Sequence, residues 1–203
     1  MTKKKILITA FDPFGSESVN PALEAVMQLP DEIDGTQIIK LELPTVYGRS
    51  ADILYKALEA EKPDVVICVG QAGGNAGISV ERVAINIDDA RAADNDEVVH
   101  EDVPIVPGGP VAYFSTLPVK AIVAALRAAG VPAAVSNSAG TFVCNHVMYA
   151  ALHYAACRQS GLRAGFVHIP YLPGQVVDKP GVASMAVGTV VEALGVIVGA
   201  AVG

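Results

Sequence analysis

Val65-Val66-Ile67-Cys68-Val69 is an unbroken apolar run that ends at Gly70. A strand with one face in water alternates apolar and polar side chains, whereas a strand apolar at every position has both faces covered. This stretch therefore reads as a central strand with helices on either side. Working outward, comparable short runs recur at Ile6–Thr9, Gln37–Leu43, Arg82–Ile87, Ala133–Ser136 and Gly165–Ile169. Helical patterns lie between them at Pro21–Leu29, Arg49–Glu61, Val119–Ala129 and Cys144–Gln159. Asn20 followed by Pro21 reads as an N-cap and a proline at the first helical position. Gly130 reads as the stop of the third helix. Strands alternating with helices predict an α/β protein, a single-domain three-layer α/β/α sandwich with a largely parallel central sheet. Residues 88–113, rich in Asp, Pro and Gly, form the one long irregular stretch, of a length that in compact domains often carries function.

Composition narrows the function classes. The 203 residues carry a net charge of −7 and are 52% apolar, which fits one folded domain and argues against disorder. The longest basic run is Lys3–Lys5, which argues against nucleic acid as a partner. The three cysteines, 68, 144 and 157, do not make a disulfide scaffold. The N-terminus lacks the apolar core and cleavage site of a secretory signal, and together these features point to a reducing cytoplasm. Val182–Gly203 is almost wholly apolar, but Glu192 divides it into runs too short to span a bilayer. It reads as a core or interface helix rather than a membrane segment.

Cys144 opens a helix after the turn that follows Ala133–Ser136. A thiol there faces unpaired backbone N–H groups and the positive end of the helix dipole, which favour thiolate and can cradle an oxyanion. The alternative is a structural cysteine, the reading given to Cys68 inside its strand and to Cys157 near a helix end. A nucleophilic thiol needs a base. His146 and His153 point to the far side of the helix that Cys144 begins, and His100 sits in an acidic loop. His168 ends a strand just before Pro170. Sites in open sheets form beyond the carboxyl ends of strands, and consecutive strands are often neighbours, so His168 can meet Cys144. It can equally be a hydrogen-bonded strand-end histidine. Glu81 precedes Arg82–Ile87, and either orients an imidazole or makes a surface salt bridge. The Gly70–Gly77 loop matches neither common phosphate-binding pattern. No Cys/His cluster has metal-ligand spacing.

Four motifs carry a resemblance. They are Phe11-Asp12-Pro13-Phe14-Gly15 with Val19-Asn20-Pro21; Val69-Gly70-Gln71-Ala72-Gly73-Gly74 with Glu81-Arg82-Val83-Ala84-Ile85-Asn86; Ser138-Ala139-Gly140-Thr141-Phe142-Val143-Cys144-Asn145-His146; and His168-Ile169-Pro170-Tyr171-Leu172-Pro173. In order and without large gaps from Ile6 to about Gln175, the chain resembles the pyroglutamyl-peptidase I family, also called pyrrolidone-carboxylate peptidase. After Asp178 it matches only as a generic apolar helix that ends early. The resemblance implies that residues 1–203 form one catalytic domain, a cysteine exopeptidase releasing N-terminal pyroglutamate. It implies a triad of Cys144 as nucleophile, His168 as base and Glu81 as orienting group. It further implies an apolar pocket of Phe11, Phe14 and Phe142 with Gln71 and Thr45 nearby, and Arg91 beside the oxyanion site with the Cys144 N–H. No metal or cofactor is implied, and homotetramers are common. Pyroglutamate is a neutral lactam, so the site needs no anchor for an α-amine, and three of the chain's five Phe fall in these motifs. Flat rings can sandwich a flat lactam. Two other readings remain: a nucleoside- or phosphate-binding α/β enzyme, and a non-catalytic α/β binding module.

Overall fold

The both-faces burial read from Val65–Val69 holds in the computed structural model, which describes residues 3–158 and 161–203. All five side chains are at most 1% exposed. They belong to β4 (Val65–Gln71), which lies at the centre of a seven-stranded sheet. On one side of it come β1 (Lys5–Phe11), β3 (Thr36–Leu43) and the short β2 (Glu32–Ile33). On the other come β9 (Arg163–Ile169), β5 (Ile78–Glu81) and β8 (Ala133–Ser136). β3, β1, β4 and β9 are parallel, whereas β5 and β8 run the other way and β2 is antiparallel to β3. The result is a mixed sheet with a parallel centre. A separate ribbon pairs β6 (Val83–Ile85) with β7 (Ala112–Phe114).

Helices cover both faces. Ile6, Ile8, Ile67 and Val69 point toward α1 (Pro21–Met27), α3 (Val119–Ala128) and α5 (Val187–Val202). Leu7, Val66, Cys68 and Phe166 point toward α2 (Arg49–Glu61) and α4 (Val143–Arg158). Each fully buried aliphatic side chain contributes about 1.5–3 kcal/mol. Local signals act as expected. Asn20 caps α1 by accepting the Ala22 N–H at 2.9 Å, with Pro21 next. Gly130 closes α3 at φ 79°, a backbone region that disfavours side chains. The apolar tail is a core helix of 16 residues, and no described helix is long and apolar enough to cross a membrane. The expected end of the fourth helix, Gln159, lies outside the described residues.

Two expectations are corrected. Arg82–Ile87 is not a strand of the main sheet: Ile78–Glu81 takes that place, and the chain bends at Arg82 into the ribbon. Nor are β8 and β9 neighbours, for β5 lies between them and β8 runs against β9.

Candidate active site

The chain leaves β1 for β3 on one side, then crosses through α2 to β4 on the other. Such a reversal opens a crevice at the carboxyl ends of the two strands. Phe11 ends β1, Gln71 ends β4, and His168 sits beside Gly70 in register at the same edge. Alternation along β4 and β9 turns Gly70 and His168 toward the α4 face, with Cys68 and Phe166. There α4 begins, and Cys144 is its second residue. A Cβ on Gly70 would stand 3.0 Å from the Cys144 sulfur and 2.8 Å from the Phe166 ring. Glycine is what lets the thiol settle over the strand.

β5 supplies the third group. It is antiparallel to β9, with Ser79 opposite His168 and Val80 opposite Val167, so Glu81 lies diagonally inward from His168 on the α4 face. Its carboxylate, 2% exposed, meets His168 Nδ1 at 2.8 Å. This is a buried pair, not the surface salt bridge that was the alternative reading. The second oxygen, Oε2, has no hydrogen-bond partner among the described residues. Burial pushes the His168 pKa down, but the charge and hydrogen bond of Cys144 and those of Glu81 outweigh it and hold the imidazole up at about 9. The Cys144 sulfur over Gly70, the register partner of His168, brings the two residues together, though not by the expected route: the turn after β8 feeds a helix that lies across β9 and β4.

Helix α4 also makes the thiol's surroundings. The first hydrogen bond of the helix runs from the His146 N–H to Phe142 O at 3.2 Å, so the N–H groups of residues 143–145 have no helical acceptor and face the crevice end. Asn145 accepts the Ile85 N–H at 3.0 Å and donates to Ile85 O and Ile87 O, which locks the helix start to the ribbon. His146 accepts the Gly48 N–H at Nε2 and meets buried Asp88 at Nδ1, 2.8 Å away. It is a brace on the far side of the helix, as its position two residues after Cys144 requires. Among the described residues no group of three or more His, Cys, Asp or Glu could hold a metal ion.

The remaining expected residues fall into three groups. Phe14 and Phe142 are half-buried with centroids 6.2 Å apart and planes tilted by 48°, a V rather than a parallel slot. Phe11 is 2% exposed and stacks on Phe166, so its ring is part of the core on the α4 face. Thr45 is buried, and its Oγ1 and N–H both bond Asp12, whose carboxylate also accepts from Asn95. It braces the Phe14 turn. The Gln71 side chain leaves β4 on the opposite face from Gly70 and accepts from Gln175 at 3.1 Å. Arg91 is exposed on a segment pinned to the cysteine turn, where the Asp89 N–H donates to Thr141 O at 3.0 Å. Sequence reasoning missed Asn145, Asp88 and the steric role of Gly70. The last had a signal: a glycine ending an otherwise bulky strand marks close approach by another group.

Comparison with known proteins gives one answer. The family described as pyroglutamyl peptidase matches residues 4–203, including the tail that the motifs left as a generic helix. A pyrrolidone-carboxylate peptidase of Alkaliphilus oremlandii is 54% identical over 198 residues, 98% of this chain and 93% of that protein. One of Erwinia tasmaniensis is 56% identical over 192 residues, 94% of this chain and 89% of that protein. The crystal structure of Bacillus amyloliquefaciens pyroglutamyl peptidase I superposes with a TM-score of 0.94 at 43% identity, covering 98% of this chain and 96% of that one.

Proposed function

The chain belongs to the pyroglutamyl peptidase family, and we propose on that premise that it is a cysteine exopeptidase hydrolysing the amide bond after an N-terminal pyroglutamyl residue. The observation that supports this most is the buried Glu81–His168 pair beside the Cys144 sulfur. Glu81 accepts from Nδ1, which leaves His168 Nε2 for the thiol. The thiolate of Cys144 attacks the pyroglutamyl carbonyl, and the oxyanion is held by the Cys144 N–H and Arg91. His168 then gives its proton to the leaving amine, and a pyroglutamyl thioester remains on Cys144. Water, deprotonated by His168, adds to the thioester and releases pyroglutamate and the thiol. Residues 1–203 act as one catalytic domain that needs neither metal nor cofactor. The reducing chemistry of a free thiol fits a cytoplasmic enzyme.

The ring of the substrate lies in the V of Phe14 and Phe142 above Phe11, with Gln71 at its edge and Thr45 supporting the wall. The carboxylates nearest these groups are already engaged, Asp12 by Thr45 and Asn95 and Glu17 by Gln175 and Lys179, so neither is offered to an α-ammonium. Burying an unpaired charge costs several kcal/mol, and a site that hydrogen-bonds a group rejects analogues lacking it by about 10⁴. Pyroglutamyl amides are therefore cleaved, whereas glutaminyl and prolyl amides are nearly inert. Phe142→Ala weakens cleavage of the first without creating activity on the others. The test is release of fluorophore from the three amides, with and without a thiol alkylator. Alkylator-sensitive cleavage of the pyroglutamyl amide alone is expected. A requirement for phosphate, or no cleavage at all, would favour the nucleotide-site or binding-module reading.

A further inference from the structure

The chain beyond His168 stays at the site. After Ile169 it forms a short 3-10 turn at Pro173–Val176 and runs on to Lys179. Within it, Gln175 Oε1 accepts the Leu172 N–H at 2.9 Å. That bond fixes the amide orientation, since a backbone N–H can only donate. Gln175 Nε2 is then a donor in both its other contacts, to Glu17 Oε2 at 3.0 Å and to Gln71 Oε1 at 3.1 Å. Glu17 belongs to the turn that carries Phe14: its N–H donates to Phe14 O at 3.3 Å, and Gly15 between them has φ 64°. Lys179 holds the other Glu17 oxygen at 2.9 Å and lies over the Tyr171 ring at 4.6 Å. That ring fills the space a Cβ on Gly73 would need, 2.2 Å away. Lys179 and then Gln175 hold the Glu17 carboxyl below its usual range, so it stays an acceptor.

We propose that Gln175, with Glu17 as its partner, is a positioning residue for the substrate-ring pocket, joining the Phe14 turn and the end of β4 to the segment that follows the catalytic histidine. The inference rests on the peptidase reading above. It makes one amide a second hold on the Phe14 turn, which Thr45 and Asn95 brace through Asp12, and ties that turn to the segment after His168. Neither Gln175 nor Glu17 touches the thiol or the imidazole, so the pair acts on the fit of the ring and not on bond breaking.

Steady-state kinetics of the full chain on a fluorogenic pyroglutamyl amide test this. Losing one such hydrogen bond is expected to raise KM on the order of three- to tenfold in Gln175→Ala and Glu17→Ala. Their kcat is expected to stay within about twofold, as is the rate at which iodoacetamide alkylates Cys144. Gln175→Glu sets two carboxylates together and raises KM further. Adding Glu17→Gln exchanges amide and carboxylate across the pair and returns KM to near the wild-type value. A merely structural role would not give that split, nor that rescue. Titration calorimetry with 2-pyrrolidone, the bare lactam, reads the same effect without turnover, and Gln175→Ala is expected to weaken its Kd by the same factor. Unchanged KM and Kd in the single variants, or no rescue by the exchange, overturns the role of Gln175. A wild-type chain that does not cleave the amide overturns the peptidase reading instead, and the lactam Kd still decides the case of Gln175.

Discussion

The hydrogen bond from His168 Nδ1 to Glu81 leaves the other imidazole nitrogen for Cys144. Removing the imidazole is therefore expected to cost far more than altering its partner. His168→Ala should lose on the order of 10⁴–10⁶ in kcat, and Glu81→Gln less, about 10²–10⁴. Steady-state rates on the pyroglutamyl amide rank them, and an active His168→Ala would contradict the assignment. The raised pKa of His168 gives a second check. The folded protein keeps this proton between the ordinary 6.5 and about 9, and the unfolded chain does not. Its stabilising contribution is complete below 6.5 and is lost as pH rises through about 9. Since the leaving amine takes its proton from the same imidazolium, kcat should fall over the same upper range. A decline centred near neutrality in a pH–rate profile would contradict this. At this scale the helix start and the strand end marked Cys144 and His168 as candidates but left a structural reading open for each, and the four-motif resemblance supplied their roles. Glu81 was the least legible, because it stood just outside the strand placed at Arg82–Ile87, where a carboxylate reads as a surface ion-pair partner.

Among elements, the sequence separated strands from helices well and failed where pairing had to be known. Ile78-Ser79-Val80-Glu81 is short and was passed over, while the apolar run Val83-Ala84-Ile85 drew the strand to Arg82–Ile87. Only the sheet decides, by pairing β5 with β9 and β8 and leaving β6 to the ribbon. The inserted β5 is also why the Cys144–His168 encounter was expected for a wrong reason. Continuous apolarity made α5 readable as buried, and Leu194 on it is 1% exposed against the face opposite Cys144. Leu194→Ala should cost about 2–5 kcal/mol. Urea unfolding measures the loss, while kcat per folded molecule should be unchanged because the cavity lies across the sheet from the thiol. A loss below about 1 kcal/mol would mean that α5 is not the core element described.

For the whole molecule, Ile85, Val111 and Phe114 are 38%, 86% and 71% exposed on or beside the β6–β7 ribbon. Ile85 and Phe114 share one face of it, because their cross-strand partners do. Apolar groups gathered this way mark an association surface, and a homo-oligomer, the tetramer implied by the sequence resemblance, is expected. Sedimentation at micromolar concentration should find it, and Phe114→Glu should shift it toward smaller species. A wild-type monomer would contradict the expectation. The same ribbon holds Asn145 at the start of α4, so the expected association surface and the nucleophile share a support. That link was illegible in the sequence, since the ribbon and the helix are 60 residues apart. The proposed chemistry turns on the thiol of Cys144. Its most direct test is kcat/KM for a pyroglutamyl amide, measured on the wild type and on folded Cys144→Ala, with Cys68→Ser and Cys157→Ser alongside. A loss on the order of 10⁶ in kcat is expected for Cys144→Ala alone; near-normal turnover by that variant would contradict a thiol nucleophile.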